Sequence, residues 1–592
     1  MTDGTISNSN GARTGGAVYL GGTGTVNVSG GNITGNNVTD FGGAIYMTGG
    51  KFTISGGNMA DNTAARNGAA VYLAGTGEVL VNGGSITGAR NKNVEAIYMA
   101  GGEFTMNGGN IGNFLGEQCG AVNMAAGTFN MTNGLIDNCN GTSCGAIYLL
   151  GGTFGISGGT ISNCTGAENG GAVYLAGTGT LNINGGTIRD NSATSDGGAI
   201  YLTDGTFNMT AGKVETNTSH GGNGAGIYIN NGTVSLTGGE VTGNKATAGK
   251  GGGFYVAGGN VTLSNGTISS NAAKTAGGGI CLEGTSATSI VRMNVNGCTL
   301  TENEATEGNG GGIFLSNAEM TYNGGLLSLN KASYDQAADF TTGYHADAGS
   351  VKGIGGGIYI SSNSKLTFGD FSTLGVYANT ADVSADDIFA NGNNTTLLLP
   401  NIANMSLQNY AGNAQGLGWY EDYFRNDTKY DITDIAKGDT RLATFENRFR
   451  VAQGLGIDFM RLYEISEDSK VLNDCYVSLA LGFLFSDLTI RVKGLVPGES
   501  CIFNVIGEKT NRSYQVPVHG TQNESDEQKI TKLPIDTYTV TLLDDWTWAY
   551  DIPADKKVIT KMNSQDEGIY LFEVEHKPTL IIHDEQKISI KL

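Results

Sequence analysis

Apolar and polar residues alternate in short segments along the first 400 residues. In the motif GGAVYL, Val173 and Leu175 flank Tyr174, and related motifs such as FGGAIYM and DGGAIYL repeat the arrangement. Alternation with a period of two is the pattern of a β-strand that buries one face. The pattern predicts short strands whose aliphatic residues point inward, so that the tyrosine between them points outward.

The tyrosine position recurs at a near-constant spacing. Successive positions lie 25 to 27 residues apart up to the eleventh, and the last two spacings widen to 33 and 45 residues. A period in this range indicates a repeat architecture. These anchor positions are Tyr19, Tyr46, Tyr72, Tyr98, Asn123, Tyr148, Tyr174, Tyr201, Tyr228, Tyr255, Cys281, Phe314 and Tyr359.

Each repeat contains two further segments after the anchor strand. They have the forms TLNINGG and TIRDN, and glycine pairs stand at the corners, where a positive φ is expected. One repeat cannot bury its apolar face alone, but stacked repeats build a continuous core. We predict an all-β fold, a right-handed parallel β-helix (a pectin-lyase-like solenoid) of about 13 coils.

Proline and charge indicate where the solenoid ends. The first proline is Pro400, and a central β ladder excludes proline because it lacks the N–H donor. Beyond it, alternating segments separated by proline and glycine turns favour a C-terminal β-sandwich. We predict a β-helix over 1–400, a β-rich connecting region over 401–486 and an Ig-like or prealbumin-like β-sandwich over 487–592.

Two motifs carry a resemblance to known families. GGA plus an aliphatic residue, followed by aliphatic-x-x-Asn, resembles the middle repeats of chlamydial polymorphic membrane proteins and the Gly-rich β-helix adhesin-like proteins of gut bacteria. The resemblance implies display and adhesion at a bacterial cell surface, outside the cell. The asparagine motif ends at Asn36, Asn62, Asn191, Asn217, Asn244, Asn271 and Asn303, and is absent after Ile86.

The C-terminal segments GLVPGES and LPIDTYTVT resemble the prealbumin-like and pilin-type Ig modules of Gram-positive surface proteins. Such modules often carry a Lys–Asn isopeptide bond assisted by a glutamate. Leu542 stands where that glutamate is expected, so we do not predict the bond. The resemblance implies a stalk or spacer.

Composition narrows the choice of partner. The net charge of −21 argues against nucleic acid and against anionic lipid. No apolar run is long enough to span a bilayer, and the start MTDGTISNSN has no signal-peptide pattern. We therefore expect a fragment of a larger surface protein, without membrane insertion, whose partners are host or microbial surface glycans or glycoproteins.

The outward tyrosines are the first candidate binding site. Aromatic faces stack on sugar rings, and the hydroxyl adds a hydrogen bond. The alternatives are that the rings only stabilise one another between strands, or lie under a turn. The candidate binding residues are Tyr46, Tyr72, Tyr98, Tyr148, Tyr174, Tyr201, Tyr228 and Tyr255.

A second candidate lies in the long insertion before the last anchor, since insertions on regular scaffolds often carry function. Its alternative is a solvated loop. The residues singled out there are Tyr334, Asp335, Asp339, Tyr344, His345 and Asp347.

Cysteine and histidine suggest no cofactor or metal. Cys119 and Cys144 lie one coil apart, as do Cys139 and Cys164, so each pair is expected to stack as thiols or as a disulfide. The five histidines form no metal motif, and no catalytic motif appears. The favoured function is a non-catalytic adhesin. The alternatives are a β-helix carbohydrate-active enzyme, such as a polysaccharide lyase or glycoside hydrolase, and a structural spacer.

Overall fold

A computed structural model describes residues 1–88, 94–333 and most of 352–390, together with strands and adjoining turns between 396 and 589. In its first part each anchor motif forms one strand of a parallel sheet, here called the anchor sheet. Neighbouring anchors pair directly, for example Tyr174 with Tyr201. Its strands are Val18–Leu20, Ile45–Met47, Val71–Leu73, Ile97–Met99, Val122–Met124, Ile147–Leu149, Val173–Leu175, Ile200–Leu202, Ile227–Ile229, Phe254–Val256, Ile280–Glu283, Ile313–Ser316, Ile358–Ile360 and Ile388–Ala390.

The second segment of each coil forms a second row of parallel strands. In several coils it continues without interruption into the third segment, with an irregularity at the glycine pair. The strands of this row are Thr25–Val28, Lys51–Ile54, Glu78–Val81, Glu103–Gly112, Thr128–Asp137, Thr153–Ile156, Thr180–Arg189, Thr206–Glu215, Thr233–Leu236, Asn260–Leu263, Val291–Thr301, Ala318–Ser328, Lys365–Phe368 and Thr396–Leu398.

The third segment forms separate strands where it does not continue from the second. These are Thr5–Ser7, Asn32–Thr34, Asn58–Ala60, Ser85–Thr87, Thr160–Ser162, Glu240–Thr242, Thr267–Ser269 and Leu374–Tyr377. A short fourth strand follows, which the sequence pattern did not predict because most of its members have only two residues. Its members are Asn10–Thr14, Asn37–Phe41, Thr63–Ala64, Leu115–Gly116, Asn140–Gly141, Thr165–Gly166, Ser192–Ala193, Thr218–Ser219, Lys245–Ala246, Ala272–Ala273, Glu304–Ala305, Lys331–Ala332 and Thr380–Ala381.

The inward residues of these rows form one continuous core. Phe129 and Phe154 of the second row are fully buried, and their rings stack at 4.7 Å between centroids. Aliphatic residues such as Ile188 in the third row are buried as well. The parallel β-helix of about 13 coils is thus confirmed, and the apolar stripe of each coil is covered by the coils above and below it.

The repeated asparagines form a buried ladder inside the solenoid. Asn244 is fully buried, and its Nδ2 donates to the carbonyl of Val214 and to Oδ1 of Asn271, both at 2.9 Å. Its own Oδ1 accepts from the backbone N and the Nδ2 of Asn217, at 3.0 and 2.9 Å. The same bonds continue through Asn330 to Asn379, two members that the sequence motif did not include.

Two features of the backbone position the anchor strand and the ladder. Gly197 has φ of +67°, and a Cβ there would lie 2.7 Å from the carbonyl oxygen of Ile200, so the turn before this anchor strand requires glycine. The residue before the ladder position is also left-handed, as at Asp190 with φ of 54°. This bend directs the next side chain, Asn191, into the core.

The chain divides into two compact units. The first contains Met1–Ser406, Gly418–Lys437 and Phe459–Leu479, and the second contains Leu407–Leu417, Gly438–Asp458 and Ala480–Leu592. In the first unit the last anchor strand pairs antiparallel with the start of the strand Cys475–Phe483, which covers the edge of the final coil. Further strands beyond the coils are Ala414–Glu421, Arg461–Tyr463 and Val471–Leu472.

The second unit contains a three-stranded and a four-stranded sheet. The three-stranded sheet consists of Phe485–Lys493, Ser525–Pro534 and Gly568–Glu573, and the four-stranded sheet of Ser500–Gly507, Ser513–His519, Thr537–Leu542 and Val558–Ile559. Two small pairs are Tyr550–Asp551 with Glu575–His576 and Ile581–Ile582 with Ile588–Ser589. The Ig-like assignment and the domain boundaries at 400 and 486 stay predictions. No helix in the described part of the chain is long and apolar enough to cross a membrane.

Candidate functional site

The anchor side chains form an aromatic row on the outside of the anchor sheet, here called the tyrosine face, with breaks at Asn123 and Cys281. Tyr148 and Tyr174 stack with their ring centroids 5.1 Å apart, and Tyr201 and Tyr228 stack at 4.8 Å. The same spacing, 5.0 to 5.4 Å, joins Tyr19, Tyr46, Tyr72 and Tyr98 at the other end. Because each ring covers the face of the next, the interior rings present their edges and hydroxyls, and not their faces, to a ligand.

Most of this row is half-buried. Tyr19 is 60 % exposed, and the anchor tyrosines from Tyr46 to Tyr228 are intermediate in exposure. The only buried side-chain oxygens without a partner in the described residues are Oδ1 of Asn110 and Oδ1 of Asn140. The tyrosine hydroxyls of the row therefore either meet solvent or have a partner in the chain.

The predicted outward exposure fails at Tyr255. This ring is only 8 % exposed, and its hydroxyl donates to Oε2 of Glu283 at 2.9 Å. The same carboxylate pairs with Nζ of Lys250 at 2.7 Å, and that ammonium lies 5.9 Å from the Phe314 ring centroid. The ion pair thus covers the tyrosine face where Cys281 replaces a tyrosine, and Tyr255 is not among its half-exposed rings.

Partial burial raises the pKa of most of the half-exposed tyrosines. Removal of the ring from water raises the pKa of Tyr201 to about 12, with Tyr174 and Asp196 adding electrostatic repulsion of the phenolate. Burial raises the pKa of Tyr72, Tyr98, Tyr148 and Tyr174 in the same direction. At neutral pH the face therefore offers uncharged hydroxyls that both donate and accept hydrogen bonds.

A row of polar residues runs beside the central tyrosines, five residues before several of the anchors. The backbone N of Asp196 donates to Oδ1 of Asn169 at 3.2 Å, and the backbone N of Lys250 donates to Oδ1 of Asn223 at 2.9 Å. Burial raises the pKa of the Asp196 carboxyl, although bonds from Asn223 oppose the shift. The sequence analysis missed this row, because its residue type changes from coil to coil.

The two carboxylates beside the central tyrosines lie too far apart for glycoside hydrolysis. Asp196 precedes the anchor Tyr201, and Glu283 follows the anchor Cys281, three coils further along. Three coils correspond to about 14 Å along the axis, at roughly 4.8 Å per coil. Glycosidase carboxylates stand about 5 to 9.5 Å apart. These two groups therefore do not form such a pair.

A different carboxyl departs strongly from its usual pKa. Glu95 is 5 % exposed, and burial raises its pKa to about 7, while repulsion from Glu117 adds to the shift and a bond from the backbone N of Gly68 at 3.1 Å opposes it. The sequence analysis did not single it out. The available signal was its place three residues before an anchor, where the other coils have glycine or alanine.

The predicted cysteine pairs stack as free thiols. Cys119 and Cys144 are fully buried, as are Cys139 and Cys164, and burial raises the pKa of the Cys119 and Cys164 thiols well above the usual value. Cys139 and Cys164 occupy the ladder position that asparagine fills elsewhere. The described residues contain no group of three or more metal-ligating side chains arranged to hold an ion. The insertion candidates Tyr334, Asp335, Asp339, Tyr344, His345 and Asp347 lie outside the described residues.

Comparison with known proteins agrees with this geometry. A family model described as right handed beta helix region matches residues 128–268. The protein is a right-handed β-helix protein. Neither the comparison with curated proteins nor that with solved structures gives a match. The β-helix occurs in enzymes and in non-enzymes, so the fold alone does not choose between the predicted functions.

Proposed function

We propose that the right-handed β-helix is the binding part of a bacterial cell-surface adhesin, which binds surface glycans or glycoproteins without cleaving them. The proposal rests chiefly on the tyrosine face. Its half-exposed, uncharged rings stand in register with the centroids of neighbouring rings 4.8 to 5.4 Å apart, so that the same contact is offered many times along one rigid surface. Repeated weak contacts of this kind add up when a ligand is itself repetitive.

The stacking defines how such a ligand would be held. Interior ring faces are covered by neighbouring tyrosines, so contacts run through ring edges and hydroxyls along the row. A chain of sugar hydroxyls suits this arrangement, because each neutral phenol can both donate and accept. The C-terminal strands would then serve as a stalk, as their resemblance to surface modules implies.

The test is a glycan and glycoprotein array probed with the full chain. A triple substitution of Tyr174, Tyr201 and Tyr228 by phenylalanine keeps the stacked rings and removes three hydroxyls. The matched control removes three hydroxyls from the second row of the same coils, by substituting valine for Thr180, Thr206 and Thr233. We expect the wild type and the threonine-to-valine variant to retain the ligand on the array, and the tyrosine-to-phenylalanine variant to lose this binding. Equal loss in both variants, or no retention by the wild type, would refute the proposal.

A carbohydrate-active enzyme is the second candidate, and Glu95 is the observation that favours it. A carboxyl with a pKa of about 7 beside a second carboxylate, Glu117, has the pattern of a general acid with its partner. Against this, the carboxyl is 5 % exposed and accepts a backbone N–H inside the solenoid. If ligand recovered from the wild type has a reduced mass, and ligand recovered from the Glu95→Gln variant keeps its full mass, the enzyme is established instead.

A further inference from the structure

The tyrosine row is interrupted at one coil in its exposed part. Asn123 pairs in register with Tyr98 on one side and with Tyr148 on the other. Its Cβ carries a carboxamide where tyrosine carries a phenol ring, so its side chain does not reach as far outward as the two flanking rings. The two flanking rings therefore face each other across a vacancy, here called the Asn123 gap.

The vacancy has the width of one ring. Adjacent rings on either side of it are 5.0 Å apart (Tyr72 and Tyr98) and 5.1 Å apart (Tyr148 and Tyr174). With one ring missing, the flanking centroids stand about 10 Å apart, two coil spacings of roughly 4.8 Å. A single ring placed midway would lie about 5 Å from each wall, within the 4.5–7 Å range in which aromatic rings stack favourably.

The floor of the gap is polar. Asn123 is only 9 % exposed, and its Nδ2 donates to Oε1 of Gln118 at 2.8 Å. Its Oδ1 is not among the buried oxygens without a partner. The buried amide of Asn123 thus lies at the base of a gap with aromatic walls and is bonded to the exposed amide of Gln118, an arrangement that combines stacking surface with directional hydrogen bonding.

The other break in the row shows the contrast. At Cys281 the thiol is fully buried, and Lys250 and Glu283 close the position with an ion pair at 2.7 Å. Within the described ranges no ion pair crosses the Asn123 gap. The second break is therefore closed by an ion pair of the chain itself, whereas no described ion pair closes the first.

The coils around the gap are also where the repeat departs most from its own rules. Glu95 replaces a small residue, and Phe114 and the cysteines Cys139 and Cys164 replace three asparagines of the buried ladder. Departures from a regular pattern concentrate at functional or strained sites. Their clustering beside the Asn123 gap supports a role for this segment in binding.

We propose that the Asn123 gap binds one neutral pyranose ring, sandwiched between Tyr98 and Tyr148 with its hydroxyl groups on the amides of Asn123 and Gln118. This deepens, and rests on, the proposed glycan-binding function. An aromatic side chain would also fit between the walls, but it offers fewer groups that hydrogen-bond to the amides than a sugar ring does. An acidic sugar is disfavoured by Glu117 beside the gap and by the net charge of −21.

The experiment uses the full chain and simple probes: the methyl glycosides of glucose, galactose, mannose and N-acetylglucosamine, followed by saturation-transfer NMR and tyrosine fluorescence. We expect one or more to bind with a dissociation constant on the order of 1 mM, as befits a single ring. Asn123→Tyr completes the ladder and should abolish this binding. Tyr98→Ala or Tyr148→Ala should weaken it about 2- to 10-fold by removing one stacking wall.

Two controls keep the result interpretable. Asn208→Tyr makes the same substitution on the half-exposed second row, and Phe41→Ala removes a half-exposed ring that is neither an anchor nor part of the gap. Both should leave binding unchanged. Methyl glycoside binding that persists in Asn123→Tyr would overturn the gap as the site, although retention on the glycan array would still support the proposed function. Array retention without any methyl glycoside binding, or binding of N-acetyltyrosine amide alone, would also overturn it. No array retention would instead refute the proposed function itself.

Discussion

The buried asparagine ladder offers a sharp test of what holds the coils in register. Replacing Asn244 by alanine deletes four hydrogen bonds: two that its Nδ2 donates, at 2.9 Å each, and two that its Oδ1 accepts, at 3.0 and 2.9 Å. Two backbone bonds remain: its N donates to Oδ1 of Asn271 at 3.0 Å, and its carbonyl O accepts from the N of Ala272 at 2.8 Å. At about 1 kcal/mol net per bond, the expected loss is about 4 kcal/mol, with buried donors and the carbonyl of Val214 left unpaired.

Global unfolding is a poor assay for this loss, because long repeat arrays do not unfold in one step. Native-state hydrogen exchange reports local opening, and the amides of residues 214–271 should lose about 10³-fold of their protection. The control Asn182→Ala removes one half-exposed acceptor, bonded by Asn208 at 2.9 Å, and should cost no more than about 0.5 kcal/mol. A change below about 1 kcal/mol at Asn244 would show that core packing alone fixes the register.

Three further predictions concern titration and thiol chemistry. Tyr201 has a pKa of about 12 in the folded protein, above the ordinary value of 10.0. Its contribution to stability is therefore complete below pH 10 and is lost as the pH rises toward 12. Absorbance at 295 nm should show that Tyr201 ionises at a correspondingly higher pH. The pKa of Glu95 is raised from 4.5 to about 7, so burial favours the protonated form, and the folded state should lose about 3 kcal/mol of stability as the pH rises from 5 to 8. The melting temperature of the Glu95→Gln variant should fall less than that of the wild type over this range. Equal slopes of melting temperature against pH would contradict the assignment. The two buried cysteine pairs should resist iodoacetamide in the native protein and react after unfolding, as peptide mass spectrometry would show; rapid native labelling would mean that the coils open there.

The regular part of the solenoid was predictable from sequence because each inward position repeats. The aliphatic residues around Tyr174 and Tyr201 fix the direction of their strands, and the structure places them as the period of two requires. The asparagine motif recurs in the same way, and the structure places its asparagines in a buried ladder. The short fourth strand was not predicted, since two residues cannot display a period.

The stacking and covering of the rings on the tyrosine face could not be predicted from the spacing of the tyrosines. Sequence places the rings outside, but only the stacking at about 5 Å shows that their faces are covered. Tyr255 is covered because Lys250 and Glu283 meet across coils that lie 33 residues apart in sequence. Glu95 was missed although the other coils have glycine or alanine at its position, because a charged residue in one coil does not by itself indicate whether its side chain is buried.

Binding along the tyrosine face is tested most directly by equilibrium affinity for the tightest ligand found on the array. The triple phenylalanine variant at Tyr174, Tyr201 and Tyr228 should bind at least about tenfold more weakly than the wild type, because three hydrogen bonds of about 0.5 to 1.5 kcal/mol each are lost. The triple valine variant on the second row should stay within about twofold, and the recovered ligand should keep its full mass. Equal affinity of the wild type and the phenylalanine variant, or a cleaved ligand, would contradict non-catalytic binding at this face.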